Sequence, residues 1–251
     1  MIKKKEIEVC FSPAVYHCFH NPDYIVVVTD ILRAASAICT AFMNGADRII
    51  PVGSLEEAKS FKKQGHLIAA ERDGITCDFA DFGNSPNNFS KVRVLNKTIV
   101  YSTTNGTQAI QKAKNCHSLV IGSFLNLKAI SDWLVSEQRD VLILCAGWKD
   151  RFSLEDSIFA GALSQLLLDS GLFKTTCDST IAACDLWSLA RQDLLGYIQK
   201  ASHINRLKKH VPEKVINYCH TLNLTNVIPI LRDNYLTKLN YCEKSNNFLR
   251  K

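Results

Sequence analysis

Residues 24–29, YIVVVT, are apolar on both alternations, the pattern of a strand buried on two faces. Asp30 ends that run. AASAICTAFMNG (Ala34 to Gly45) then follows with helical spacing and a glycine stop. RIIPVG (Arg48 to Gly53) predicts a second short strand, and SLEE (Ser54 to Glu57) has the capping-box spacing of a helix start. The same order returns further along. TIVYSTTNGTQAIQKAKNCHSLVIGSF (Thr98 to Phe124) can be laid over Tyr24 to Leu55 so that Ala37-Ile38 meets Ala109-Ile110 and Gly53-Ser54 meets Gly122-Ser123, which reads as a diverged internal duplication.

A third unit begins with DVLILCAG (Asp140 to Gly147) as a strand. It continues with a helix capped at Ser153 and ended by Gly171. Residues 179–210 read mostly as helix, and NVIPIL (Asn226 to Leu231) as a late strand, placed at an edge because Pro229 cannot donate to a ladder. Strands alternating with helices predict an α/β fold: a layered α/β/α arrangement with a largely parallel or mixed sheet and duplicated strand-helix-strand-helix units. The expected organisation is one compact domain over residues 1–251, divisible into two interleaved related halves, residues 20–125 and 126–240.

Composition narrows the classes. An apolar content of 47% in 251 residues is enough to build a core and argues against disorder. The net charge of +6 is mild and spread along the chain except in RLKKH (Arg206 to His210). No basic stripe is interleaved with aromatics, so a nucleic-acid partner is not expected. The start, MIKKKEIEVCFSP, has no apolar region behind its basic residues, and no run approaches the length of a membrane span. Ten cysteines at irregular spacing without a C-x-x-C fit reduced thiols, and a cytoplasmic setting is expected. Half-buried helices would permit a homodimer without requiring one.

Ligands in open α/β sheets bind beyond the carboxyl ends of the strands. The residues there are Asp30, Arg33, Glu71, Arg72, Thr103 to Thr107, and Gly147 onward to Glu155 and Asp156. AERDGITCDFADFGNSP (Ala70 to Pro86) crowds charges and turn formers into what reads as a long connection, a frequent mark of function. Each residue has an ordinary explanation. Asp30 is suited to cap the helix behind it, Glu155 and Asp156 to a helical first turn with Asp156 bonding back to Ser153, and the arginines to surface ion pairs.

Together they suggest more. Three carboxylates (Asp30, Glu71, Asp156) and a phosphate-like dianion would repel one another unless a divalent cation lay between them, and Mg²⁺ prefers such hard oxygens. The guanidinium forks of Arg33 and Arg72 match two oxygens of a phosphoryl or sulfonyl group. GNSP (Gly83 to Pro86) and TTNGT (Thr103 to Thr107) add amides, hydroxyls and backbone N–H groups near a helix start. A haloacid-dehalogenase-type nucleophile at Asp30 is disfavoured because Leu32 stands where that chemistry has a second Asp. A thiol nucleophile at Cys145 lacks a flanking arginine loop, and no G-x-G-x-x-G follows a strand.

The chain resembles the 2-phosphosulfolactate phosphatase family of coenzyme M and sulfolactate metabolism. The resemblance rests on six ordered blocks: DILRAASAI (Asp30 to Ile38), ERDG (Glu71 to Gly74), FGNSP (Phe82 to Pro86), TTNGT, CAG (Cys145 to Gly147) and LEDSIFAGAL (Leu154 to Leu163). A weaker likeness continues through ASHINRL (Ala201 to Leu207) to VIPIL. Ala70 stands where the family usually has glycine and Ala35 where threonine is common; the charged positions are intact. The resemblance implies a Mg²⁺-dependent hydrolase that converts a small phosphorylated, sulfonated acid, phosphosulfolactate, to sulfolactate and phosphate. The expected assignments are Asp30, Glu71 and Asp156 as metal-binding and catalytic acids, and Arg33 and Arg72 as charge-neutralising catalytic groups. Asn84, Ser85, Thr104, Asn105, Gly106, Thr107 and Gly147 are expected to bind substrate. The alternatives are a phosphatase for another small phosphorylated acid, or a non-catalytic anion-binding or sensory domain of the same fold.

Overall fold

The computed structural model describes residues 3–207 and 211–239. In chain order its elements are β1 (Lys5–Cys10), β2 (Ile25–Thr29), α1 (Ala34–Met43), β3 (Arg48–Pro51), α2 (Leu55–Lys63), β4 (Leu67–Arg72), β5 (Ile75–Thr76), α3 (Lys91–Val94), β6 (Thr98–Ser102), α4 (Gly106–Ala113), β7 (Ser118–Gly122), α5 (Leu127–Glu137), β8 (Val141–Cys145), α6 (Leu154–Asp169), β9 (Phe173–Lys174), α7 (Asp178–Ala190), α8 (Leu194–Ile198), α9 (Ser202–Leu207), α10 (Glu213–Cys219), β10 (Pro229–Arg232) and β11 (Tyr235–Lys238). Of the basic cluster at residues 206–210, residues 208–210 lie outside the described residues.

The strands form one mixed sheet in the order β5-β4-β6-β3-β11-β10-β7-β2-β8-β1-β9. β4, β6 and β3 are mutually parallel, as are β7, β2, β8, β1 and β9. The β10–β11 hairpin joins these two blocks through antiparallel pairings only, so the blocks run in opposite senses. The duplication is visible in this order. The unit β2-α1-β3-α2-β4 repeats as β6-α4-β7-α5-β8, and exchanging the units maps the parallel pair β2–β7 onto β6–β3 and β2–β8 onto β6–β4.

Helices cover both faces. On one side of β2, Ile25 and Val27 pack with Ile130 and Leu134 of α5 and Ile158 and Leu163 of α6. Val26 and Val28 face the other way, into a core shared with Ala37 and Ile38 of α1 and Ala109 and Ile110 of α4. A smaller cluster of Val52, Ala58, Ile68, Ala70 and Val100 lies beneath α2. The β2 run reads as doubly buried because it is: all five of its residues are buried.

Two expectations are corrected. The late strand is interior, since β10 pairs with both β7 and β11; Pro229 is tolerated as its first residue, and Ile230 makes the contact to β7. The charged segment from Ala70 is not an unstructured connection. Glu71 and Arg72 are the last residues of β4, and they pair antiparallel with Thr76 and Ile75 of β5 across Asp73 (φ 53°) and Gly74 (φ 83°), an Asp-Gly turn whose left-handed backbone suits a tight hairpin.

Candidate active site

Three chain turns meet where β2, β4 and β6 end. Glu71 ties two of them together. Its Oε2 accepts the Gly74 backbone N–H at 2.6 Å, and its Oε1 accepts the Thr104 N–H at 2.8 Å. Thr104 Oγ1 in turn accepts the Asp73 N–H at 2.9 Å. Arg33, buried at the start of α1, reaches the same hairpin by donating from Nη2 to Gly74 O at 3.1 Å. Gly106 lets α4 begin against Asp30: a Cβ there would sit 2.8 Å from Asp30 Oδ2 and from Ala34 Cβ.

Asp156 performs a second tie. Its Oδ1 accepts Ile31 N–H at 2.8 Å and its Oδ2 accepts Gly147 N–H at 3.1 Å, so the loops after β2 and β8 are held to the first turn of α6. The expected bond back to the Ser153 backbone is not made; instead Ser153 Oγ accepts the Asp156 N–H. Gly147 (φ 66°) opens a tight turn in which Trp148 and Arg151 exchange backbone hydrogen bonds at 2.9 and 3.0 Å. Lys149 on this turn pairs with Asp73 at 2.7 Å and gives its N–H to Asn105 Oδ1 at 2.9 Å.

The expected site residues thus divide by what remains free. Thr107 is spent on Thr103, each hydroxyl accepting the other's backbone N–H at 3.0 and 3.1 Å. Thr104 is engaged with Glu71 and Asp73, and Asn105 with Lys149. Asn84 is buried with Oδ1 unpartnered among the described residues, while neither it nor Ser85 makes a side-chain hydrogen bond to the acids or arginines there. Asp30 does cap, accepting Ala34 N–H at 3.3 Å through Oδ1, but its Oδ2 has no hydrogen-bond partner among the described residues. Arg72 donates to Glu71 O at 2.6 Å and Ser102 Oγ at 3.0 Å. Among the described residues, neither Arg33 nor Arg72 forms an ion pair.

Sequence reasoning missed two groups, His203 and Tyr101, and left Glu155 without a partner. His203 of α9 lies with Nδ1 2.7 Å from Glu155 Oε1, both nearly excluded from solvent, and its ring packs on Trp148 with centroids 5.0 Å apart. Glu155 stands among the strand-end candidates read from the sequence, with no role assigned beyond the first turn of a helix. Tyr101, inside β6, is fully buried with its hydroxyl unpartnered among the described residues, near enough to Asp30, Glu71 and Arg33 to feel their charges.

The acids crowd one another. Burial pushes the Asp30 carboxyl up to about 6, with His203 opposing and Glu71 and Glu155 adding to the rise. Burial, then Glu155 and Asp30, holds Asp156 well above the usual carboxylate range. Burial also works to raise Glu155, but the hydrogen bond and charge of His203 outweigh it and leave that carboxyl low. Cys145 is buried and its thiol pushed well up by burial, then by Asp156, which leaves it an inert core residue.

A divalent cation is a partial fit. No group of three or more His, Cys, Asp or Glu among the described residues is arranged to hold a metal ion. Glu71 and Asp156 have both oxygens engaged by backbone N–H groups, which leaves Asp30 Oδ2 as the free carboxylate oxygen of the three. One carboxylate, together with waters and substrate oxygens, is a normal Mg²⁺ donor set. Beside the site, a cavity of about 210 Å³ is lined by Thr104, Asn105, Gln108, Lys112, Ala146 and Lys149 among others.

Residues 10–234 match the family model described as 2-phosphosulpholactate phosphatase. A protein from Thermotoga petrophila named probable 2-phosphosulfolactate phosphatase is 39% identical over 205 residues, covering 82% of this chain and 88% of the relative. Proteins of the same name from a Synechocystis species and Carboxydothermus hydrogenoformans are each 36% identical, over 89% of this chain and 95% and 92% of theirs.

Proposed function

The chain belongs to the 2-phosphosulfolactate phosphatase family, and from that premise we propose that it hydrolyses the phosphate ester of 2-phospho-3-sulfolactate to sulfolactate and phosphate. The observation that carries the reading is a charge imbalance. Among the described residues Arg33 and Arg72 donate to Gly74 O, Glu71 O and Ser102 Oγ and neither forms an ion pair, so no carboxylate neutralises either guanidinium and both charges can be met by an external dianion. Arginine binds two oxygens of one phosphoryl, sulfonyl or carboxyl group at once, and this substrate presents all three.

Asp30 would hold a Mg²⁺ ion through its free Oδ2, while Glu71 and Asp156 brace the turns around it. Bound there, the ion would supply Lewis-acid stabilisation of the phosphoryl oxygens. The chain's own residues do the rest. Arg33 and Arg72 hold the anionic groups, Tyr101 and Asn84 offer unpartnered polar atoms, and Lys149 ties the turn after β8 to Asp73 of the hairpin.

The test is phosphate release from 2-phospho-3-sulfolactate by the purified chain, before and after EDTA and again with Mg²⁺ restored. Turnover that EDTA abolishes and Mg²⁺ recovers is expected. Absence of release under all three conditions would overturn the reading, and release untouched by EDTA would overturn its metal part.

A further inference from the structure

We infer that His203, oriented by Glu155, is the general acid that protonates the departing alkoxide. The inference rests on the phosphatase reading above and adds a residue outside the carboxylate–arginine set. Four observations carry it. Glu155 is 1% exposed and spends Oε1 on His203 Nδ1 at 2.7 Å, which leaves Nε2 as the nitrogen available to a ligand. The ring packs against Trp148 at an interplanar angle of 43°, and the Trp148 ring also carries the Arg206 guanidinium 4.7 Å from its centroid. The imidazole adjoins the site through both its partners: Glu155 precedes Asp156, which holds the turns after β2 and β8, and Trp148 follows Gly147. Finally, Glu155 Oε2 is buried without a partner among the described residues, so the carboxylate is kept in the interior for the one bond it makes to the imidazole.

The alcohol released from a phosphosulfolactate is a secondary alkyl oxygen, a poor leaving group that gains much from protonation as it departs. In the step, the ester P–O bond breaks with its electron pair leaving on that oxygen, and the Nε2 proton of imidazolium passes to it, giving the sulfolactate hydroxyl and neutral His203. The P–O bond to water forms at the same phosphorus, and both water protons stay at first on the product, dihydrogen phosphate. That product gives one proton to solvent as His203 regains one. Nothing is oxidised or reduced. Glu155 does not touch substrate; it is a positioning residue that fixes which nitrogen faces the ester.

General acid catalysis contributes about 10²–10⁴-fold, and it matters least when the leaving group needs no proton. The experiment compares wild type, His203→Gln and Glu155→Gln on 2-phospho-3-sulfolactate and on p-nitrophenyl phosphate, whose phenolate leaves readily. Circular dichroism melts monitor the fold. His203→Gln is expected to lose about 100-fold or more in kcat on the alkyl ester but less than about 10-fold on the aryl ester. Glu155→Gln should follow the same selectivity with a smaller loss and little change in KM. Equal losses on both esters in folded His203→Gln, or no loss on either, would overturn the inference while leaving wild-type activity standing. Wild type inactive on phosphosulfolactate would instead fell the parent reading, and this inference with it.

Discussion

Glu71 and Thr104 are joined twice: the carboxylate accepts the Thr104 backbone N–H at 2.8 Å and its hydroxyl at 3.3 Å. With the 2.6 Å bond from Gly74 N–H, this buried side chain satisfies donors from two separate turns. Glu71→Gln keeps the shape but turns an N–H₂ group towards one of those donors. The expected cost is about 1–3 kcal/mol, the range for leaving a buried polar group unsatisfied. Urea unfolding checks it, and a variant as stable as wild type would show that the carboxylate is not the brace.

Arg33 and Arg72 hold their forks by backbone and hydroxyl acceptors and not by acids. Lysine at either position keeps the charge but loses planar two-point contact. Hydrogen bonds to charged groups contribute about 1.5–3 kcal/mol, which corresponds to a rise in KM of about 10–100-fold for Arg33→Lys or Arg72→Lys. Steady-state kinetics on phosphosulfolactate decide the matter; unchanged KM in both variants would mean that neither arginine grips the substrate.

His220 gives a pH signature away from the centre. Its Nδ1–H donates to Ile216 O at 2.7 Å, while Nε2 is buried without a partner among the described residues. Burial depresses the imidazole below its ordinary 6.5, with the Ile216 bond and Glu155 opposing. The folded protein therefore keeps His220 neutral where the unfolded chain binds a proton, so this contribution to stability is full above pH 6.5 and falls as the solution is acidified. Removing the titration with His220→Gln should make the variant lose less stability than wild type below that pH, by at most about 1.4 kcal/mol per pH unit. Denaturant curves taken above and below the window measure the difference. Parallel pH dependence in the two proteins would contradict a buried neutral imidazole.

The parts of this architecture readable from sequence were those written in local patterns. The doubly apolar YIVVVT, the Gly45 and Gly171 stops and the Ser54 cap each fix an element by chemistry within a few residues, and all appear where expected. β1 was not legible, because KEIEVC mixes charges into a strand whose burial comes from β8. The interior position of β10 was hidden for a similar reason: its neighbour β7 lies far away in the chain. At the site, Asp30, Glu71 and Asp156 stood out as acids near strand ends. His203 did not, since it comes from α9, a short helix whose approach to Glu155 is set by packing and carries no spacing signal. Tyr101 read as a core strand residue, and only its unpartnered hydroxyl beside charged groups marks it otherwise.

The central claim is that the ends of β2, β4 and β6 form one centre for phosphate-ester hydrolysis in which Asp30 supplies the free carboxylate oxygen. Its most direct measurement is kcat for 2-phospho-3-sulfolactate with Asp30→Asn beside wild type, in Mg²⁺, with melting curves to verify folding. The account predicts a folded variant reduced by about 100-fold or more, the scale of losing one electrostatic stabiliser. A folded Asp30→Asn that releases phosphate at the wild-type rate would contradict it.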